Sequence, residues 1–306
     1  MKTEMKKVSI NQHVSYSQII QGFYRADKWN MSKQELNTFI HQLVENGITT
    51  MDHADIYGHY TVEKMFGDAL NLSPELKSQI EIVTKCGIVQ PNTIFPDQTE
   101  HRYDVSKKHI KRSVERSLNN LQVDVIDTLL IHRPSPLMKP CEITEALQEL
   151  VEEGKVKSFG VSNFRRSQYE LLNECLKDDR FHIAVNQVEI SPYHLNAFHD
   201  GTIDDMYKDQ VKIMAWGPFA GGRLFDSSDK VAKRVLPVLK QIASSHQTSV
   251  EAVVIAWFMK HPASILPILG TQHMTRVQQA IKGLEIQLSD QEWFDIYTAA
   301  QGYDIP

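Results

Sequence analysis

The sequence predicts an α/β protein of the (β/α)8 TIM-barrel type, a single domain over residues 1–306 that ends in a helix and a short tail. Short apolar, β-like runs alternate with amphipathic helical stretches along the chain, as parallel strands with right-handed crossovers require. A chain of 306 residues suits one such barrel, which takes roughly 250 with room for insertions. Polar residues stand at the ends of the strand-like runs, where a barrel gathers its active site.

The first run covers 19–22. A helix follows, capped by Ser32 with Glu35 three residues on in a capping box. Leu36, Phe39, Ile40, Leu43 and Val44 recur at helical spacing, and Gly47 stands where a terminating glycine belongs. Strands are expected at 48–52 and 80–85, with a helix over 62–70 between them. Ser106 caps a helix that places Ile110, Val114 and Leu118 on one face, and 125–131 is a compact apolar strand. A helix over 143–153 ends at Gly154. Strands at 156–161 and 184–190 flank a helix at 169–176. A strand at 211–216, a helix at 250–260, a strand at 265–269 and a helix at 275–282 follow, and Ser289 starts a last helix. A doubly wound open sheet would need a glycine-rich nucleotide turn after a strand, and none is present.

Hydrophobic residues make up 42% and charged residues 23%, ordinary globular usage, and the net charge of −5 argues against a general nucleic-acid or membrane-surface binder. Cys86, Cys141 and Cys175 are odd in number and widely spaced, which suggests neither a disulfide framework nor a zinc site and fits a reducing cytoplasm. The N-terminus lacks the apolar run of a signal peptide. The longest apolar stretches, 252–259 and 265–269, fall far short of the ~20 residues of a membrane span. A cytoplasmic protein is expected.

Asp52 ends the second strand and Tyr57 follows on its loop. Lys85 ends the third strand, His132 the fourth, and Ser162 and Asn163 the fifth. Gln187 lies on the sixth, Trp216 ends the seventh, and Gly270 and Thr271 end the eighth. Singly, each has a plainer reading: Asp52 a turn cap, Tyr57 packing, Lys85 a solvated end, His132 a structural imidazole, Trp216 core. A barrel would bring them to one mouth, and there their chemistry connects. An ammonium beside a phenol is expected to lower the phenol's pKa from about 10. A carboxylate would hold that lysine, making Asp52, Lys85 and Tyr57 a tuned proton donor. His132 would hydrogen-bond a substrate carbonyl oxygen and stabilise charge developing there.

These segments resemble the aldo/keto reductase superfamily. Gly47-Ile-Thr-Thr-Met-Asp52-His-Ala-Asp-Ile-Tyr57-Gly58 resembles its G-x4-D-x-A-x2-Y-G signature. Leu129-Leu130-Ile131-His132-Arg133-Pro134, Gly160-Val161-Ser162-Asn163-Phe164, Asn186-Gln187-Val188-Glu189, Ser191-Pro192-Tyr193 and Pro267-Ile268-Leu269-Gly270-Thr271 resemble further motifs in the family's order, over nearly the whole chain. The resemblance implies reduction of an aldehyde or ketone by NADPH, with Tyr57 as general acid, Lys85 and Asp52 tuning it, and His132 orienting the carbonyl. It implies that Ser162, Asn163 and Gln187 bind the nicotinamide carboxamide and that Trp216 stacks on the ring, in place of the tyrosine or phenylalanine of many members.

The segment from Gly217 to Leu224 resembles the family's pyrophosphate loop, where glycines let backbone N–H groups approach phosphate. Arg223 within it has two readings, a phosphate contact or a solvated side chain. Arg276 is implied to grip the adenosine 2′-phosphate through bidentate bonding. The sequence departs from the commonest pattern here: Gly270-Thr271 replaces Lys-Ser, and Ala280 stands where many members have asparagine, with Gln279 offering a polar group. NADP(H) is therefore expected over NAD(H). Phe23, Tyr24 and Trp29 are expected to line a pocket for a small carbonyl substrate, with a long loop over residues 90–103 shaping it. His53, Asp55 and His59 crowd the Tyr57 loop, but barrel metals are held from several strands, so no metal is expected and His53 reads as packing. An NADP(H)-binding regulatory subunit or redox sensor with little turnover is the alternative function.

Overall fold

In the computed structural model, residues 5–305 are described. Eight strands form a closed parallel barrel: β1 (Ile20–Gly22), β2 (Thr50–Asp52), β3 (Glu81–Cys86), β4 (Ile126–Ile131), β5 (Val156–Ser162), β6 (Val185–Glu189), β7 (Lys212–Trp216) and β8 (Leu266–Leu269). Around the closure the order runs β6, β7, β8, β1, β2, β3, β4, β5. The register sets Met51 beside Ile82, Lys85 beside Leu130 and Leu129 beside Phe159. All six residues of β4 are buried, as expected of a parallel strand covered on both faces. The expected (β/α)8 barrel is therefore the fold, and its strands lie within a few residues of the sequence expectations.

The described chain falls into two compact units, Lys6–Asn186 and the stretch from Gln187 on. The first opens with an antiparallel hairpin, Lys7–Ser9 with Ser15–Ser17, which the sequence pattern does not announce. Its helices α1 (Lys33–Glu45), α2 (Val62–Leu70), α3 (Lys107–Leu121), α4 (Pro140–Glu152) and α5 (Arg166–Asn173) each follow one of β1 to β5. Ser32 caps α1 in the expected capping box. Helices α2 and α3 approach so closely at Gly67 that an added Cβ would lie 2.1 Å from the Asn120 carbonyl oxygen. A second hairpin, Ile88–Val89 with Arg102–Tyr103, closes the base of the long third-strand loop.

The second unit contains α6 (Asn196–His199), α7 (Thr202–Lys208), α8 (Ala232–Ser245), α9 (Val250–Lys260), α10 (Met274–Lys282) and α11 (Asp290–Gln301). Residues 252–258 of α9 are all buried, as their unbroken apolar character requires. Helix α8 is absent from the sequence reading because Pro237 lies inside it, and proline removes an internal donor. Its apolar residues Val235, Leu236, Leu239 and Ile242 nevertheless keep helical spacing and are buried.

The cysteine expectation needs correction. Cys141 and Cys175 are joined in a disulfide, leaving Cys86 as the free, buried thiol. The pair stands 34 residues apart in sequence, so the contact depends on the packing of α4 and α5, which spacing cannot reveal. Among the described residues, no helix is long and apolar enough to cross a membrane.

Candidate active site

The first unit builds its polar centre from the ends of β2, β3 and β4. Beyond Asp52 the chain stays bound to β3: His53 N–H donates to the Val83 carbonyl at 2.8 Å and Asp55 N–H to the Lys85 carbonyl at 3.0 Å. It then turns through Tyr57, whose carbonyl accepts from the N–H of Thr61 at 3.2 Å. Gly58 makes the turn possible, at φ +56°, where a Cβ would lie 2.8 Å from both Thr61 Oγ1 and Val62 Cγ2. His132 leaves β4 with its N–H on the Cys86 carbonyl at 2.9 Å.

Lys85 is fully buried at the centre. Its Nζ donates to Asp52 Oδ1 at 2.8 Å, Asp52 Oδ2 at 2.9 Å and the His53 carbonyl at 2.6 Å, and it lies 3.1 Å from the Tyr57 hydroxyl. Burial alone would push the Lys85 pKa down, but the Asp52 carboxylate and then Tyr57 outweigh it and hold the pKa above its ordinary value. The ammonium is therefore charged at neutral pH. Tyr57 behaves differently from the sequence expectation. Burial raises its pKa, Lys85 opposes that rise, and burial wins. The expected net lowering fails because a sequence shows a neighbouring charge more readily than it shows desolvation. A Tyr57 that remains protonated can still donate a proton.

The His132 ring meets the Tyr57 ring nearly edge-on, with centroids 6.0 Å apart. Burial, then Lys85, drives its pKa well below the ordinary histidine value, so the imidazole is neutral. His132 Nδ1 is buried without a hydrogen-bond partner, and such a group normally has one. His53 is packing, as expected: its ring stacks on Phe23 at 4.6 Å and meets the Phe66 edge at 4.4 Å. Among the described residues, no group of three or more histidine, cysteine or acidic side chains is placed to hold a metal.

The expected substrate residues separate. Tyr24 is exposed and meets the Tyr57 ring edge-on at 5.1 Å. Phe23 is fully buried between His53 and Phe66, and Trp29 packs on Phe23 and Phe39. These two belong to an aromatic core, because their neighbours in α1 and α2 supply matching apolar faces. At the end of β5, Ser162 is buried and Asn163 adopts φ +60°, with its Nδ2 donating to Ser162 Oγ at 2.8 Å.

In the second unit, Gln187 is buried on β6 and Trp216 is half-buried at the end of β7. Gly217, Gly221 and Gly222 follow at φ 68°, 66° and 100°. A Cβ on Gly222 or Gly270 would meet nothing within 4 Å, so backbone there is open to a ligand. Leu224 is fully buried, which leaves only its backbone for such contact. Arg223 is neither free nor simply solvated: its guanidinium lies 4.6 Å from the Tyr193 ring centroid, and Nε donates to the Ala220 carbonyl at 3.2 Å. Thr271 follows β8, half-buried, and Gln279 is half-buried on α10. Arg276 is exposed in the first turn of α10 and has no ion-pair partner among the described residues.

The sequence reading misses one constellation, the buried Asp55–Arg116 pair. Arg116 Nη2 lies 2.9 Å from Asp55 Oδ2. Asp55 is visible in the loop motif, but its partner lies 61 residues away on α3.

A parallel barrel with a buried lysine, aspartate and tyrosine at its strand ends, and a neutral histidine beside them, has the design of a barrel enzyme. The family follows from comparison. The model for the aldo/keto reductase family matches residues 18–300, and the chain belongs to that family. It is an oxidoreductase of this family. Oxidoreductase YcsN of Bacillus subtilis is 44% identical over 303 residues, covering 99% of this chain and all of that protein. A 6-dehydroglucose reductase of Agrobacterium fabrum is 37% identical over 98% of this chain and 100% of its own length. In fold, the chain is similar to an aldo/keto reductase from Klebsiella pneumoniae solved with NADP and acetate, with a TM-score of 0.78, 24% identity, and 99% and 96% of the two chains covered.

Proposed function

We propose that this protein reduces an aldehyde or ketone to an alcohol, with NADPH as cofactor and Tyr57 as the proton donor. The observation that carries the reading is the position of Lys85 Nζ, held by both Asp52 oxygens and lying 3.1 Å from the Tyr57 hydroxyl in a buried centre. Tyr57 is protonated at rest, as a general acid must be. When its proton leaves, the phenolate meets an ammonium already in place, so little reorganisation is needed. The neutral His132 donates one N–H to the carbonyl oxygen and fixes its direction toward Tyr57. When bound, NADPH supplies the hydride.

The residues present fit that cofactor. The open backbone at Gly222 and Gly270 can take phosphate oxygens, and Arg276 offers an unpaired guanidinium for a 2′-phosphate, which NADH lacks. In this reading Ser162, Asn163 and Gln187 bind the carboxamide, Trp216 stacks on the nicotinamide, and Gly217, Leu224, Thr271 and Gln279 contribute contacts along the cofactor. Tyr24, exposed beside Tyr57, is placed to meet substrate. The single domain of the proposal spans 1–306.

The test begins with NADPH and NADH titrations followed by tryptophan fluorescence, then a screen of aldehydes and ketones. The 6-dehydroglucose reductase relative supports including a polyhydroxylated sugar aldehyde. Tyr57→Phe should lower carbonyl reduction by roughly 10²–10⁴-fold while leaving NADPH affinity nearly unchanged. Near-normal turnover in this variant would remove Tyr57 from the role.

A further inference from the structure

Backbone after Tyr57 is unusual: Gly58, His59 and Tyr60 all lie in the left-handed region, at φ 56°, 53° and 71°. A tyrosine adopts that conformation only where its surroundings hold it. Tyr60 is held at both ends of its side chain. Its hydroxyl accepts from Gln90 N–H at 3.0 Å, at the start of the third-strand loop. Its ring lies against the Arg116 guanidinium, 5.1 Å from the centroid. The same guanidinium sits 4.6 Å from the Phe95 centroid, and the Tyr60 and Phe95 rings meet edge-on at 5.2 Å.

Arg116 is in turn anchored. Its Nη2 donates to Asp55 Oδ2 at 2.9 Å and to Ser113 Oγ at 3.3 Å, while Asp55 is bonded through its N–H to the Lys85 carbonyl. One side chain from α3 thus ties the backbone at Lys85, the Tyr57 turn and the tip of the third-strand loop. Packing alone does not fix that tip. Most of residues 91–100 are exposed, and a cavity of about 490 Å³ bordered by Tyr60, Met65, Ile94, Phe95 and Arg116 lies beside it.

We propose that Arg116 is a positioning residue, clamping Tyr60 and Phe95 so that the third-strand loop keeps a fixed place relative to Tyr57 and holds the carbonyl substrate. The inference rests on the reductase reading of Tyr57. It follows from the fold's general logic, since the loops after barrel strands form the substrate site. The clamp acts on how substrate is held, and leaves the proton donor's own bonds to Lys85 intact.

The variant to test is Phe95→Leu, which removes the ring face while keeping an apolar side chain and the buried Asp55–Arg116 pair. KM for a reducible carbonyl should rise about fivefold with kcat held within about twofold, as expected for the loss of one cation–π contact. NADPH affinity should not move. Glutamyl endopeptidase should cleave faster after the exposed Glu100, and Phe95→Trp should restore both KM and protection. An unchanged KM in an active enzyme, an effect confined to kcat, or unchanged cleavage overturns the inference. Failure of the wild-type protein to reduce any carbonyl would sink the reductase reading and the substrate-holding role with it, whereas unchanged cleavage after Glu100 in Phe95→Leu would overturn the clamp itself, because cleavage reports on the clamp without turnover.

Discussion

Lys85 and Arg276 are both cations at the ends of barrel elements, yet their circumstances are opposite. Lys85 is fully buried, and Asp52, the His53 carbonyl and Tyr57 surround its Nζ. Arg276 is exposed and has no ion-pair partner among the described residues. In the proposed reading, the difference separates two tasks. A group that moves a proton is most effective when its surroundings are fixed before substrate arrives. A group that captures an anion from solution must remain open until the anion comes.

The comparison breaks most visibly if Lys85 proves dispensable. Lys85→Met leaves the Asp52 carboxylate buried without its cation, so urea denaturation should show a loss of about 3–5 kcal/mol, with carbonyl reduction lost as well. Stability within 1 kcal/mol of wild type would mean that water or another group takes over the lysine's place. His53→Phe sharpens the picture from behind the same centre. Burial, then Lys85, holds the folded His53 pKa at about 3, below the 6.5 of a free histidine, so the folded state keeps this ring neutral. Its contribution is fully present above pH 6.5 and is lost as pH falls toward 3. Between pH 6.5 and 4.5 the phenylalanine variant should therefore lose about 2 kcal/mol less than wild type, read from denaturation at the two pH values. An identical acid loss would show that His53 does not titrate there. His109, held at about 4 chiefly by burial, should keep part of the wild-type acid sensitivity in both proteins.

Arg276→Met tests the open site. Stability should stay within about 0.5 kcal/mol, as for most surface changes. NADPH affinity should fall roughly 10–100-fold with NADH affinity unaltered, the cost of losing hydrogen bonds to a charged group. Equal weakening for both nucleotides would place Arg276 away from the 2′-phosphate.

What the sequence could reveal follows from the range of each interaction. Asp52, Lys85 and His132 interrupt or end apolar runs, and a barrel converts those ends into neighbours, so the polar centre is legible before any coordinates. Helix α9 is legible because its cap and apolar run are local. Longer-range facts are not. The pairing of Asp55 with Arg116 depends on how α3 packs, the direction of the Tyr57 shift depends on burial, and the placement of Phe23 and Trp29 depends on which faces α1 and α2 offer them. Pro237 conceals α8 for a different reason: a local rule about proline is overridden by an apolar face that tertiary packing buries.

The bond between Cys141 and Cys175 acts on a state of the chain that no folded structure displays. It closes a 34-residue segment containing all of β5, including Ser162. In a chain-entropy picture, such a tie removes disorder from the denatured ensemble worth about 4 kcal/mol. A thiol reductant in the buffer would then release that disorder in the denatured chain. Thermal midpoints of any two preparations are thus comparable only at equal thiol content.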